Sequence, residues 1–114
     1  MLKFVSPWSE RVMDAAFVRD TYVNNNRMYL GLRTYDEEAN FWEPWCDVTV
    51  NLPDETLTDE NCAFVDINNN QTIRQFLEEN NLAEWTGKFG YSGFCAYPEY
   101  RFDMERLAEH LLEG

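Results

Sequence analysis

The chain lacks basic residues over a long central stretch. No Lys or Arg occurs between Arg33 and Arg74, yet this stretch holds ten of the 21 Asp and Glu residues. The chain has only nine Lys and Arg, so its formal net charge is −12, and −10 of that lies in the stretch. We call these ten residues the acidic block: Asp36, Glu37, Glu38, Glu43, Asp47, Asp54, Glu55, Asp59, Glu60 and Asp66. Such a field repels nucleic acid and anionic membranes and attracts basic surfaces, although acidic faces that only solubilise a protein are common.

Long apolar runs are missing as well. No run approaches the roughly 18 residues that a membrane-spanning helix needs. The polar break at Ser6 and Pro7 comes too early for the apolar stretch of a signal peptide. With 114 residues, of which 45% are hydrophobic and 16% aromatic, the chain is too apolar for disorder and large enough for one modest core. We therefore expect a single acidic domain over residues 1–114, in the cytoplasm.

Cysteine and histidine are scarce. Cys46, Cys62 and Cys95 are odd in number and widely spaced, so we expect three reduced thiols. Cys46 shares an apolar strand face and Cys95 lies between aromatic residues, so both are predicted to be mostly buried. His110 is the only histidine, which leaves no zinc pattern.

Residue patterns for other chemistry are also absent. The carboxylates of 54–60 lack the central Gly of a calcium loop. Cys95 as a nucleophile would need a base or positive neighbour, and Lys88 and Arg101 have no motif spacing relative to it. The sequence therefore predicts no catalytic residue, no metal and no cofactor, and we expect a protein that is not an enzyme.

Hydrophobic periodicity predicts an α+β fold, with an antiparallel sheet of about four strands and two amphipathic helices. Alternation over 15–23 and 27–35, on either side of three consecutive Asn residues at 24–26, predicts a β-hairpin. Ile73, Phe76 and Leu77 give an apolar stripe to a helix over about 70–80, capped by Asn70. Asp103 is expected to cap a second helix over 103–112 that carries His110 in its last turn.

The other segments carry weaker signals. Pro7 after Ser6 indicates a short helical turn over 6–13. Alternation over 41–52 predicts one extended segment, followed by an acidic loop over 53–61 and a short strand over 63–67. Gly and aromatic residues over 84–102 indicate an irregular loop that ends in a strand, and Pro98 favours an edge position for that strand.

Four stretches together resemble a known group of proteins: Val48–Pro53, Cys62–Asn69, Phe76–Gly87 and Ser92–Phe102. The set is similar to a family of small, acidic, uncharacterised bacterial proteins carried on conjugative transposons, plasmids and prophages. The resemblance covers roughly residues 15–102, and its last stretch is the most specific. No catalytic residue is established for such a family, so the resemblance carries none onto this chain.

The resemblance implies a mobile genetic element inside a bacterial host. Such elements must survive restriction and CRISPR nucleases, and their small acidic proteins include antirestriction and anti-CRISPR inhibitors. Many of these inhibitors present carboxylates where nucleic-acid phosphates would lie. The acidic block of this chain is similar in kind, because basic nuclease channels are lined by Lys and Arg that contact phosphates.

The leading hypothesis is a non-enzymatic inhibitor of a host defence nuclease, of the anti-CRISPR or antirestriction type. Its predicted partner is a basic protein surface that normally binds nucleic acid, and neither nucleic acid nor membrane is expected to bind directly. Trp42 and Trp45 are the expected aromatic anchors, and the expected carboxylate contacts are Asp36, Glu37, Glu38, Glu43, Asp47, Asp54, Glu55, Asp59 and Glu60. The alternative is an accessory interaction module of a mobile element whose acidity only solubilises it, and a third reading is a small enzyme that uses Cys95.

Overall fold

Eight strands and two short helices make up the computed structural model, which describes residues 2–70 and 72–112. In chain order they are β1 (Leu2–Val5), β2 (Val12–Thr21), β3 (Met28–Asp36), β4 (Phe41–Asp47), β5 (Thr49–Val50), β6 (Cys62–Val65), α1 (Ile73–Glu79), β7 (Ala83–Ser92), β8 (Cys95–Phe102) and α2 (Met104–Ala108). The strands form two antiparallel sheets, sheet A in the order β1-β2-β3-β4 and sheet B in the order β5-β6-β8-β7. The protein is thus mostly β, and the expected single sheet of about four strands is corrected to two sheets.

The predicted hairpin around the three Asn residues is confirmed. Thr21 of β2 pairs with Met28 of β3, and the Tyr22 amide donates to the Arg27 carbonyl at 2.9 Å. Asn26 adopts φ 57°, a left-handed conformation that Asn tolerates better than most residues. Here the alternating pattern and the turn residues favoured the same structure.

The N-terminal segment differs from its prediction. Instead of a helical turn over 6–13, a tight turn joins β1 to β2, and strand structure begins at Val12. The Ser6 amide donates to the Arg11 carbonyl at 2.9 Å, and the Ser6 hydroxyl accepts from the Trp8 amide at 3.3 Å. The alternating buried residues Leu2 and Phe4 pair β1 with β2, and this pairing holds the turn in place.

Residues 41–52 do not form one extended segment but cross from sheet A to sheet B. The crossing residue is Val48, which lies between β4 and β5 and is fully buried. Its amide donates to the Leu30 carbonyl at 2.8 Å, and its carbonyl accepts from the Asp66 amide at 2.9 Å. Both backbone groups of the crossing residue are therefore paired, one with a strand of sheet A and one beside sheet B.

A β-hairpin replaces the irregular loop that was expected over 84–102. β7 and β8 pair from Ala83 and Phe102 to Ser92 and Cys95. Gly93 has φ 60° at the first of the two central turn positions, the pattern of a type II′ turn. β8 lies between β6 and β7, so the edge position predicted for it is wrong. Pro98 is tolerated there because β6 pairs only with residues 99–101 of β8, so no ladder bond to β6 is lost.

Both helices are shorter than predicted. α1 buries Ile73, Phe76 and Leu77 as expected, but its N-cap is Thr72. Asn70 instead donates its side-chain amide to the carbonyls of Asp47 and Asp66, at 3.0 and 3.1 Å. Gln71, within the predicted helix, lies outside the described residues.

The second helix has the predicted cap but an earlier end. The Asp103 carboxylate accepts from the Arg106 amide at 3.1 Å, and α2 ends at Ala108. Beyond it the chain runs beside β2: the Phe17 amide donates to the His110 carbonyl, and the Leu112 amide donates to the Phe17 carbonyl, both at 2.8 Å. Pairing with the open edge of β2 next to β1 competes with the last helical turn, so His110 lies outside the helix.

One hydrophobic cluster joins the two sheets and the helices. Phe17 and Leu30 of sheet A and Tyr100 of sheet B are fully buried in it. Phe4 of β1 packs edge-on against Phe76 of α1 with ring centroids 5.2 Å apart. Burial at this scale contributes about 25 cal/mol for each Å² of apolar surface removed from water, so the cluster fixes how the two sheets sit.

Candidate functional site: the acidic edge and the aromatic groove

Part of the acidic block lies at the β3–β4 turn and along the edge strand β4 of sheet A, and the rest lies in the 53–61 loop and directly after β6. Asp36, Glu37 and Glu38 lie at the β3–β4 turn, and Glu43 and Asp47 lie on the edge strand β4. The 53–61 loop is anchored at the opposite end of sheet A, where Arg27 of the β2–β3 turn contacts it. We call this arrangement of the ten carboxylates the acidic edge.

Four members of the acidic edge hold local structure. Asp36 accepts from the Glu38 and Ala39 amides at 3.0 and 3.2 Å. Asp47 accepts from the Tyr29 hydroxyl at 2.6 Å. The other two are Asp59, which accepts from the Arg101 guanidinium at 2.9 Å, and Asp66, which accepts from the amides of residues 68 and 69. The hydrogen bond from Arg101 is the main cause of the lowered pKa of Asp59.

The remaining members carry charge that is not compensated nearby. Across residues 2–70 and 72–112, Asp59 is the one member of the acidic edge with a basic group within 4.0 Å. Glu37, Glu38, Asp54 and Glu60 are exposed, and Glu43 and Glu55 are half-buried. None of the carboxylates of these six residues takes part in a hydrogen bond within the described part of the chain. They are the part of the acidic edge that is free to meet a partner.

Basic side chains from the β2–β3 turn, β7 and β8 hold the 53–61 loop against the molecule. Arg27 donates to the Leu52 carbonyl at 2.7 Å and to the Glu55 carbonyl at 2.5 Å. Lys88 of β7 donates to the Thr56 carbonyl, and Arg101 of β8 binds Asp59. The loop is therefore fixed through its backbone carbonyls and the Asp59 carboxylate, while Asp54 and Glu60 are exposed to solvent.

Glu99 is the buried centre of this loop attachment. Its side chain is 0% exposed, and its carboxylate accepts from the Thr58 amide and the Thr86 hydroxyl, both at 2.8 Å, and from the Thr58 hydroxyl. Burial raises the pKa of this carboxyl group, but the hydrogen bonds from Thr58 and Thr86 and the charge of Lys88 outweigh it, so the pKa is lowered. Sequence patterns do not indicate this role, because Glu99 stands alone in an aromatic stretch outside the acidic block.

The two tryptophans predicted as anchors are both half-buried. Trp42 packs edge-on against Tyr35 with ring centroids 5.3 Å apart. Trp45 packs against Phe4 at 5.4 Å and against Trp8 at 5.5 Å. Trp8, which the sequence placed in a helical turn, is 80% exposed and is the accessible member of this group.

Trp8 and Trp45 border what we call the aromatic groove. Its inner cavity, of about 90 Å³, lies between these two rings and the segment 68–70. A wider hollow of about 410 Å³ continues between the β1–β2 turn and α1, where Glu10 and Glu79 lie. Phe4, Pro7 and Thr72 line both, so the two hollows adjoin, and we describe them together as the aromatic groove.

The cysteines follow the prediction in part. Burial raises the pKa of Cys46 to about 12 and that of Cys62 to about 11. The burial predicted for Cys95 is wrong, because this residue is exposed at the tip of the β7–β8 hairpin. The strand pairing places Cys95 beside the turn and not in the core, while the two basic residues considered as its activators bind the 53–61 loop.

The described residues contain neither a metal-binding cluster nor a membrane-spanning helix. Among them, no three or more His, Cys, Asp and Glu side chains are grouped so as to hold a metal ion. No helix among residues 2–70 and 72–112 is long and apolar enough to cross a membrane.

Comparison with known proteins gives one match. No curated protein and no solved structure matches the chain. A family model matches residues 18–114. This range includes α2, which lies beyond the roughly 15–102 covered by the resemblance. The chain therefore belongs to the DUF4313 family, described as a domain of unknown function.

Proposed function

We propose that this protein is a non-enzymatic inhibitor of a bacterial defence nuclease of the CRISPR or restriction class, encoded by a mobile genetic element. It acts in the host cytoplasm by occupying a basic groove that otherwise binds nucleic acid. The contact surface is the acidic edge, with Glu37, Glu38, Glu43, Asp54, Glu55 and Glu60 as the carboxylates that face the partner.

The observation that carries this proposal is the lack of charge compensation along the acidic edge. Surface carboxylates next to Lys or Arg contribute little field at a distance, whereas unpaired ones add up to a field that steers a basic partner. Within the described residues, only Asp59 of the ten carboxylates has such a neighbour. The field of the edge is therefore directed at solvent, and at whatever basic surface approaches.

The dimensions of the acidic edge support the same proposal. The seven residues of β4 span roughly 23 Å at about 3.3 Å per residue. Successive phosphates of one DNA strand advance about 3.4 Å along the helix axis, so β4 spans the distance of roughly seven phosphates and carries Glu43 and Asp47 along that length.

The structure determines which carboxylates a charge-reversal test should alter. Asp36, Asp47, Asp59 and Asp66 hold turns or loops, so reversing their charge would damage the fold as well as the field. Exposed carboxylates without partners avoid that problem. The test variant therefore reverses four of them to Lys: Glu37, Glu38, Asp54 and Glu60.

A matched control reverses four exposed carboxylates outside the acidic edge: Asp20, Glu79, Glu105 and Glu109. Both variants carry a net charge of −4, because each reversal adds two charges to −12. The pair thus separates the position of the charge from its total. Circular dichroism and thermal unfolding establish that both variants keep the fold.

The assay measures cleavage of labelled DNA by a panel of purified nucleases, including a guide-loaded CRISPR effector and a restriction enzyme. Close charge pairs at an interface are worth about 1.5–7 kcal/mol, so the test variant should lose at least about 100-fold in inhibition of the target, and the control much less. Wild-type inhibition should weaken as salt rises, by screening. Nuclease loaded with DNA beforehand should resist the inhibitor.

The alternative function makes the opposite prediction. If the protein is an accessory module of the mobile element and its acidity only solubilises it, the two variants bind their partner equally well. Binding that is insensitive to salt and to preloaded DNA would reject phosphate mimicry.

A further inference from the structure

We propose that the aromatic groove binds an arginine side chain presented by an extended peptide segment of a partner protein. This inference concerns a surface separate from the free carboxylates of the acidic edge. It does not require the partner to be a nuclease, and its test uses peptides alone.

The size of the groove favours a single side chain as the occupant of its inner part. Sites for small molecules and cofactors usually enclose about 300–1,000 Å³, whereas the inner cavity measures about 90 Å³. The outer hollow of about 410 Å³ is open to solvent and is lined on one side by Gln75, Phe76 and Glu79 of α1. A flat guanidinium group fits the inner part, and the backbone that carries it fits the outer part.

The rings at the mouth of the groove favour a cation. Trp is the strongest aromatic partner for a cation, and guanidinium groups stack on aromatic faces more readily than ammonium groups do. Trp8 leaves most of its ring exposed beside the half-buried Trp45. The chain already uses this interaction elsewhere: the Arg74 guanidinium lies 5.2 Å from the centre of the Trp85 ring.

The charges of the outer hollow also favour a cationic ligand. Glu10 and Glu79 line it, and Lys3 is the basic residue among its lining residues. The Lys3 ammonium group is bound to Asp14, so it does not neutralise the two glutamates. An anionic ligand such as a nucleotide would be repelled, whereas a basic peptide gains from both carboxylates.

The polar wall of the inner cavity offers acceptors. Asn69 donates its side-chain amide to Asp66, and Asn70 donates its own to two backbone carbonyls. Their side-chain oxygens accept no hydrogen bond from the described residues, so they remain available. A guanidinium group has five N–H donors and no acceptor, which complements such a wall.

The test uses the whole chain and three blocked pentapeptides, Gly-Pro-Xaa-Pro-Gly, in which Xaa is arginine, citrulline or lysine. Proline keeps the peptide extended, and citrulline has nearly the shape of arginine without its charge. Titrations follow the indole N–H signals of the four tryptophans by NMR. The arginine peptide should shift the signals of Trp8 and Trp45, and should bind about tenfold more tightly than the citrulline peptide, as expected for about 1–2 kcal/mol of cation–π energy.

Two pairs of variants complete the test. Trp8→Ala should weaken binding of the arginine peptide about fivefold, since a cation–π contact at an exposed site is worth about 1 kcal/mol, while Phe94→Ala, at the exposed hairpin tip, should not change it. The double variant Glu10→Gln and Glu79→Gln should weaken binding and reduce its salt dependence, whereas Glu60→Gln with Glu84→Gln should do neither. Because these side chains are exposed, circular dichroism should show an unchanged fold.

Several outcomes would overturn the proposal. Equal affinity for the arginine and citrulline peptides would show that the positive charge does not contribute to binding. Equal affinity for the arginine and lysine peptides would show that the groove does not select a guanidinium group. Signal shifts at Trp42 or Trp85 alone would place any binding outside the groove. Equal losses for Trp8→Ala and Phe94→Ala would show a general effect of exposed aromatic residues.

Discussion

Replacement of the buried Glu99 tests the attachment of the acidic loop most directly. Glu99→Met keeps nearly the length of the side chain and removes both acceptor oxygens. The Thr58 amide and the hydroxyls of Thr58 and Thr86 then lose their shared acceptor. The loop over 53–61 should be held less firmly, and the free energy of unfolding should fall.

The expected loss is set by two opposing terms. Three hydrogen bonds to a charged group are worth about 1.5–3 kcal/mol each, whereas burying a carboxylate costs several kcal/mol that the methionine variant no longer incurs. We expect a net loss of about 3 kcal/mol for Glu99→Met. At about 4 °C per kcal/mol for a domain of this size, the midpoint of thermal unfolding should fall by about 12 °C.

Glu99→Gln should cost less, about 1.5 kcal/mol, because its amide oxygen can still accept from the Thr58 amide. The two threonine hydroxyls can rotate to accept from the new NH₂ group, so no buried donor is stranded. Glu60→Met is the matched control, since Glu60 is exposed on the same loop and should change stability by less than about 0.5 kcal/mol. Urea unfolding at pH 7, followed by circular dichroism, measures all four proteins.

The pH dependence supplies a second check. The pKa of Glu99 is lowered in the folded protein, so its contribution to stability is present above its unfolded pKa and is lost as pH falls through the folded pKa. The difference between wild type and Glu99→Met should therefore shrink in acid. A methionine variant within about 0.5 kcal/mol of wild type at pH 7, or a difference that is the same at pH 7 and in acid, would refute this account.

Two further predictions concern the thiols and the glycines. Cys95 should react with a thiol reagent far faster than Cys46 and Cys62 in the native protein, because it is exposed and burial raises the pKa of the other two; a Cys95→Ala variant that keeps the fast phase would contradict this. Gly90→Ala should destabilise by about 1–3 kcal/mol, because its Cβ would lie 2.6 Å from a ring carbon of Phe64 and 2.9 Å from a methyl carbon of Leu52. Gly31→Ala is the comparison and should cost less, since its Cβ meets the far end of the Tyr29 side chain, and equal losses would show that the packing of Gly90 is not the cause.

Local patterns predicted those parts of the fold where neighbours in sequence are also neighbours in space. The β2–β3 hairpin, the apolar stripe of α1 and the Asp103 cap each depend on residues a few positions apart. β1 and the β7–β8 hairpin were missed because their signals are ambiguous. Proline is favoured both in turns and at helix starts, so Pro7 does not distinguish them, and glycines in a strand pattern also suggest bulges and loops.

The elements that were misplaced depend on distant partners. Residues 41–52 alternate as one strand would, but the hydrogen bonds of Val48 reach Leu30 on one side and Asp66 on the other. The second helix ends at Ala108, because the residues that follow it pair with Phe17, which lies more than ninety residues earlier in the chain. Periodicity within a window contains no information on such contacts, so the number of sheets was not predictable from it.

The acidic block illustrates the same limit for function. The sign and the extent of the charge follow from composition, but composition does not show which carboxylates are bound by the protein itself. Glu99 and the basic residues that hold the 53–61 loop could not be recognised as a group from the sequence, because Arg27 lies in the β2–β3 turn, Lys88 in β7 and Arg101 in β8. The exposure of Trp8 was also not predicted, because its segment was interpreted as a helical turn.

The loop attachment bears on how the acidic edge would bind a partner. Ordering a flexible loop at an interface costs affinity, and a loop already fixed in the free protein avoids that cost. Glu99 and its basic neighbours fix the backbone of 53–61 and leave Asp54 and Glu60 free, so the edge is organised before any partner arrives. Glu99→Met, which touches no residue of the proposed contact surface, should then weaken inhibition of the target nuclease under conditions where the variant is still folded. A methionine variant that is less stable but inhibits as well as wild type would show that the loop contributes no organised surface, and would limit the proposed contact to β4 and the β3–β4 turn.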